Sequence, residues 1–331
     1  VNRKPFGNTG LQVTPIGLGL AALGRPGYIN LGHDEDLAGE LDVTSMRAHS
    51  HRVLDEAWRL GLRYFDAARS YGRAEEFLGS WLRARDIAPG EVTVGSKWGY
   101  IYTADWQVSA EMHEIKEHTL TNLDQQIVES RDRLSPHLAL YQIHSATQDS
   151  GVLDNHEVLA RLGELRDQGL VIGLSLSGPT QADTLQQALD VVVDGRPLFG
   201  SVQATWNLLS QEVGPTLQQA HDAGWGVIVK EALANGRLTT RNNDPAFAEQ
   251  RVRLQQRAAE HETTIDALAL AAVLAQPWVG CVLSGATTTD QLASNVAALN
   301  VRWGADSGEL GERLREAPEA YWAKRSRLNW N

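Results

Sequence analysis

Short runs of Val, Ile, Leu and Ala alternate with amphipathic stretches along almost the whole chain, and this rhythm limits the fold more than any other feature. PIGLGL, RYFDAA, VTVGSK, LALYQIH, VIGLSLS, SVQATW, WGVIVK and WVGCVLSG are each of strand length and apolar on both faces. Strands of that kind belong to a parallel sheet covered by helices, and the stretches between them are long enough for crossover helices. Eight such alternations predict an α/β fold, a (β/α)8 TIM barrel, in one domain over residues 1–331. No composition shift marks a boundary within it.

The remaining pieces decorate that barrel. Gly7-Asn8-Thr9-Gly10, between short apolar segments of residues 3–14, predicts an N-terminal β-hairpin with a glycine turn. Residues 25–44 form a long polar loop after the first strand, which puts them over the barrel mouth and makes Tyr28 a candidate substrate contact. The Asp34-Glu35-Asp36 run in that loop reads equally as a solvated surface. Thr44 or Ser45 caps a helix that runs to Leu60, and another covers about residues 117–134. The stretch between Pro245 and Gln276 holds more helix than one barrel unit needs. After about residue 305 a charged helical segment predicts a C-terminal helical extension.

A net charge of −11 and a pI near 5.4 argue against nucleic acid or an anionic membrane as a partner, because no general basic field attracts phosphates. VNRKPFGNTG has no apolar core of the signal-peptide kind and no apolar run reaches membrane-span length, so a cytoplasmic protein is expected. Cys281 is the single cysteine and is expected to be a packed core residue. His49, His51, His113 and His118 show no ligand spacing, and no metal is assigned.

In a parallel barrel every strand C-terminus opens onto one face, so residues distant in sequence can meet there. RYFDAA ends on Asp66, VTVGSK on Lys97 and LALYQIH on His144, with Tyr71 a few residues past Asp66. A carboxylate so placed needs a cation, and Lys97 can supply it. A phenol with a pKa of about 10 is a reluctant acid or base at neutral pH, and a neighbouring ammonium favours its anion. Taken singly, Asp66 reads as well as part of a structural ion pair, and His144 as a core histidine. Lys97 at a strand end also fits a Schiff-base lyase or aldolase.

F-D-A-A-x-x-Y-G, then S-K, then Q-I-H-S resembles the aldo-keto reductase superfamily, and the likeness extends from TGLQVTPIGLGL at residues 9–20 to LSGATTTDQLASNVAAL at residues 283–299. It implies a catalytic tetrad of Asp66, Tyr71, Lys97 and His144. The implied reaction interconverts a carbonyl (aldehyde, ketone or sugar) and an alcohol by hydride transfer, with Tyr71 as general acid/base. The resemblance sets Ser175 and Gln203 against a nicotinamide carboxamide, and Ala232, Leu233, Asn235, Gly236 and Arg237 along the cofactor. Ser284, Gly285, Ala286, Thr287, Thr288, Gln291 and Asn295 correspond to its adenosine-binding segment, although the helix start there also reads as an ordinary one. Tyr28, Trp98 and Trp206 are aromatic candidates for the substrate pocket, with Tyr100 and Tyr102, while Trp206 also reads as a packing residue.

The chain departs from the family pattern in three places. Leu176 stands where Asn usually follows the serine, and Lys230-Glu231 stands where an aromatic and a serine are common. Thr287-Thr288 replaces the basic residues of NADP-preferring relatives, although Arg237 and Arg241 offer positive charge from the other side. The expectation is NADP(H), with NAD(H) left open. The rival readings are a cofactor-binding regulatory subunit with little turnover, and the lyase or aldolase that uses Lys97. The expected partner is a small carbonyl or alcohol substrate.

Overall fold

The computed structural model describes residues 1–304 and 308–331. Its centre is a closed parallel barrel of β1 (Ile16–Gly19), β2 (Tyr64–Asp66), β3 (Thr93–Trp98), β4 (Leu138–Ala146), β5 (Val171–Leu176), β6 (Ser201–Thr205), β7 (Gly226–Lys230) and β8 (Cys281–Ser284). The strands follow one another round the ring in chain order, and β8 closes against β1.

Side chains alternate along each strand, and the alternation creates two cores. Ile16, Leu18, Phe65, Val94, Trp98, Ile143, Leu174, Val202, Val229 and Val282 face outward and join one large apolar cluster with the surrounding helices. Tyr64, Leu140, Ile228, Cys281 and Leu283 face inward and form a smaller cluster with Phe6 and Val13. Above it the inward positions turn polar: Asp66, Lys97, Gln142 and Gln203 are all buried. The inward-facing charged groups thus sit only towards the C-terminal ends of the strands, above the apolar layer.

The predicted hairpin pairs Lys4–Pro5 with Gln12–Val13, and its Phe6, fully buried, plugs the bottom of the barrel. Gly226 leaves the room this plug requires: a Cβ there would lie 2.4 Å from the Phe6 ring. Cys281 is buried in the same layer, and its thiol is pushed up in pKa by burial.

Several local expectations shift. Asp42, rather than Thr44 or Ser45, caps the helix Val43–Arg59, and its carboxylate accepts from the backbone N–H groups of both those residues. A carboxylate two residues earlier simply reaches the free N–H groups first. The helix expected from 117 begins at Leu120, with Thr119 as its cap. A hairpin of Tyr100–Tyr102 with Glu114–Lys116 lies beyond β3, where the sequence shows no apolar run to announce it. Asp36 of the acidic run sits in a short helix, His33–Leu37, and pairs with Arg241, so that run is only partly solvated.

The extra helix is Ala248–Glu260, followed by Ile265–Leu274. The C-terminal extension contains helices Gly308–Leu314 and Pro318–Arg325, which bury Tyr321 and Trp322 against a second apolar cluster. The chain then returns over the barrel mouth. Asn331 and Tyr28 exchange backbone hydrogen bonds of 3.0 and 3.2 Å. No helix among the described residues is long and apolar enough to cross a membrane.

Phe6→Ala would remove the plug from a fully enclosed layer and should lower stability by about 3–5 kcal/mol. Urea unfolding followed by tryptophan fluorescence measures it; an unchanged midpoint would show that the hairpin does not hold the barrel floor.

Candidate active site

The barrel brings the four sequence-predicted residues together. Asp66, 1% exposed, ends β2 facing inward and accepts hydrogen bonds from Tyr64 Oη at 3.1 Å, Gln203 Nε2 at 3.0 Å and Gln142 Nε2 at 3.3 Å. It also receives the Lys97 ammonium from the neighbouring strand in a fully buried ion pair. Lys97 donates further to the Ala67 carbonyl at 2.9 Å and to Tyr71 Oη at 3.4 Å. An isolated charge here would be very costly, and donors from four different strands compensate it.

Tyr71 stands edge-on to His144, ring centroids 5.4 Å apart at 84°. His144 Nδ1 lies 3.3 Å from Ser70 Oγ, which orients the imidazole from the β2 side. Burial drives the His144 pKa well below the usual value, and the positive charges of Lys97, Lys230 and Arg25 add to that push. Burial also raises the Tyr71 pKa well above 10; Asp66 adds to the rise and Arg25 opposes it. The expected lowering of the phenol by Lys97 is therefore not the net effect in this state. The site holds a protonated phenol beside a neutral imidazole, which is the protonation state of a proton donor and a hydrogen-bonding partner.

Asp66, Tyr71 and His144 line the floor of a cleft of about 660 Å³. Tyr28 and Gln203 line its catalytic end; Ala232, Leu233, Asn235 and Gly236 line one wall. Ser284, Gly285 and Ala286 continue it towards Gln291 and Asn295. Gly19, at the end of β1, also lines the cleft. Asn235 is buried with an Oδ1 that has no hydrogen-bond partner, and it sits in the left-handed region at φ 55°. Such an acceptor on a cleft wall suits a ligand that brings hydroxyl or amide donors. Asn295 donates to Ser284 Oγ at 2.8 Å, and Thr288 caps the helix Thr289–Ala297 together with Gln291.

Other predicted residues lie away from the cleft. Trp98 follows Lys97 on the same strand, so alternation turns it outward; it is fully buried and packs edge-on to His118 at 5.6 Å. Trp206 packs against Trp278 at 5.7 Å and is not among the residues that line the cleft. Ser175 lies beneath the lining, where its hydroxyl accepts the Ser145 N–H at 2.8 Å; Ser177 reaches the surface instead. Arg237 is turned away and engages Glu316 through two hydrogen bonds of 2.6 and 3.1 Å. Thr287 is fully buried, its carbonyl against His49 Nε2, and Thr288 is occupied as a cap. Arg241 does line the cleft, paired with Asp36, which Gln291 also contacts at 2.8 Å.

Sequence reasoning missed three contributors. Arg25 is buried beside Tyr71, 5.3 Å from its ring, and is held by Glu114 at 3.0 Å. Trp330 covers Arg25 at 4.7 Å and stacks on His113 at 3.8 Å. Arg325 binds Glu231 through three hydrogen bonds of 2.6, 3.0 and 3.0 Å. Burial pushes Glu231 up, but Arg325 and Lys230 outweigh it and hold the carboxyl at about 2. The only signals were a cluster of Arg, Pro and Gly after β1 and aromatic residues within a charged tail.

Lys97→Met would leave the Asp66 carboxylate buried without its cation, and should cost about 3–5 kcal/mol in denaturant unfolding. Asp66→Asn in the same chain should return part of that loss; if it returns none, the pair is not what balances the floor. The His144 imidazole should show no protonation in NMR titration between pH 5 and 8, whereas an ordinary midpoint near 6.5 would contradict the buried neutral ring.

Comparison with known proteins supplies an independent view. The family model described as Aldo/keto reductase family matches residues 15–309. An NADH-specific methylglyoxal reductase from Escherichia coli is 26% identical, the match covering 96% of this chain and 100% of that protein. An L-galactose dehydrogenase from Arabidopsis thaliana is also 26% identical, over 90% of this chain and 88% of its own. The solved structure of a Bacillus halodurans aldo-keto reductase in its holo form aligns with a TM-score of 0.72 at 21% identity. That match covers 96% of this chain and 97% of the other, a likeness of fold.

Proposed function

The chain belongs to the aldo/keto reductase family, and from that membership we propose that Tyr71 is the proton donor of an NAD(P)H-dependent carbonyl reduction carried out at the floor of the cleft. One observation carries the assignment: Tyr71 Oη lies 3.4 Å from the Lys97 ammonium, which is itself bound to Asp66, at the end of an open cleft.

A reduced nicotinamide, when bound, supplies the hydride to the carbonyl carbon. Tyr71 gives its proton to the oxygen as negative charge develops there. The ammonium of Lys97 then faces the phenolate it has been waiting beside, so its attraction strengthens as the proton leaves. Asp66 holds the ammonium in place. The neutral imidazole of His144, edge-on to Tyr71, offers a hydrogen bond that fixes the carbonyl oxygen between the two rings. Oxidation of an alcohol runs through the same groups in reverse.

Lys97 is fully buried and donates to three oxygens, so its nitrogen has no free lone pair turned to the cleft. That arrangement supports hydride transfer over the lyase reading, in which the same nitrogen must attack a carbonyl.

For the cofactor, the far end of the cleft favours NAD(H). Asp266 and Asp290 line that end, and the Arg241 charge is already taken by Asp36. Arg237, the other positive group considered from the sequence, is committed to Glu316. A ribose 2′-hydroxyl can donate to such oxygens, whereas a dianionic 2′-phosphate would meet like charge. This reading departs from the NADP(H) preference implied by the family resemblance.

Tyr71→Phe should lower kcat by at least about a thousandfold while NADH binding, followed by nicotinamide fluorescence, stays within a few fold. A folded, active Phe variant would remove Tyr71 from its role. Parallel titrations should show NADH bound at least about tenfold more tightly than NADPH, and the opposite order would reverse the cofactor assignment.

A further inference from the structure

Accepting that carbonyl reduction takes place beside Tyr71 and His144, we propose that Lys230 receives an anionic group, a carboxylate or a phosphate, of the carbonyl substrate. Lys230 ends β7 and lines the catalytic end of the cleft together with Asp66, Tyr71, His144 and Gln203. The other cations around this end each have a carboxylate of their own. Lys97 is bound to Asp66, Arg25 to Glu114 at 3.0 Å, and Arg325 to Glu231 at 2.6 Å.

Among the described cations that line the cleft, Lys230 is the exception. Its ammonium donates to Thr205 Oγ1 at 2.8 Å and comes no nearer than 3.9 Å to Glu231, whose oxygens are engaged by Arg325. An ammonium has three protons to place, and this one lies in a site where its side chain is only 15% exposed. With the three pairs formed, the Lys230 ammonium has only a 3.9 Å share of a Glu231 carboxylate that Arg325 already binds, and the catalytic end keeps an excess of positive charge. An anionic oxygen arriving with the substrate would complete the ammonium's hydrogen bonds and cancel that charge.

The position of the ammonium favours the substrate over the cofactor phosphates as its source of anion. Lys230 lines the cleft with Tyr71 and His144, the two groups assigned to the reacting carbonyl oxygen, and its charge acts on the His144 imidazole. The segment Ser284–Ala286, with the helix start behind it, lies towards the opposite end of the cleft. The Trp322 ring, 5.9 Å from the ammonium, supports Lys230 from behind. A lysine at this place adds selection by charge, which a neutral aromatic does not offer.

The test pairs each charged aldehyde with a neutral counterpart: succinic semialdehyde against butanal, and glyceraldehyde 3-phosphate against glyceraldehyde. The unaltered protein should prefer the charged member of at least one pair by tenfold or more in kcat/KM, which also tells carboxylate from phosphate. Lys230→Met should reduce that preference by about 10- to 100-fold, mainly through KM, and Lys230→Arg should keep much of it. Calorimetric binding of succinate and of inorganic phosphate to the protein with NAD+ should weaken in the same variant. No preference for either charged aldehyde, or one that survives Lys230→Met, overturns the proposal. So does an equal loss of NADH binding in Lys230→Met, which would assign the ammonium to the dinucleotide. If no aldehyde is reduced, charged or neutral, the reductase reading fails instead, and anion binding with its dependence on Lys230 still decides this inference.

Discussion

The buried pair of Asp66 and Lys97 is the interaction on which the rest of the site depends. Two opposite charges this deep in a barrel are a doubtful source of stability, since desolvation can exceed their attraction. Their surroundings explain how they are kept: Tyr64, Gln142 and Gln203 complete the carboxylate, and the Ala67 carbonyl shares the ammonium. Those donors come from different strands, so the closed ring is required before the charges are balanced. Tyr71 and His144 are buried beside this pair, and burial, with Asp66 adding to it at Tyr71 and Lys97 at His144, keeps one protonated and the other neutral.

Much of this was legible in the sequence for a definite physical reason. Strand periodicity and the shared orientation of parallel strands together fix which residues meet at the mouth. Asp66, Lys97 and His144 each end an apolar run, and that alone was enough to bring them to one place. The same alternation, applied one residue further, would have turned Trp98 away from the pocket. Capping signals near helix starts were less decisive: Asp42 displaced Thr44 and Ser45 because a carboxylate reaches two N–H groups at once.

Charge partners were not legible. Arg237 reads from sequence as an available cation near the cofactor segment, yet Glu316, 79 positions later, occupies it. Arg25 and Glu114 are 89 residues apart, and Arg325 and Glu231 are 94 apart. No local pattern announces such pairs, because each depends on loops and on a C-terminal extension whose paths are set by packing. The Lys230-Glu231 departure was visible, but its meaning required knowing that Arg325 takes the glutamate.

The distribution of these contacts divides the cleft into parts of unequal firmness. The catalytic floor is tied into several barrel strands and cannot open locally without breaking the ring itself, so its amides belong with the slowest to exchange with solvent. The far rim rests on Arg241 and Asp36, which join the segment after β7 to the short helix His33–Leu37, and the near rim on the backbone exchange between Asn331 and Tyr28. Either rim can part while the floor stays intact. A large ligand entering the cleft therefore meets loop-borne contacts before it meets groups fixed by the strands.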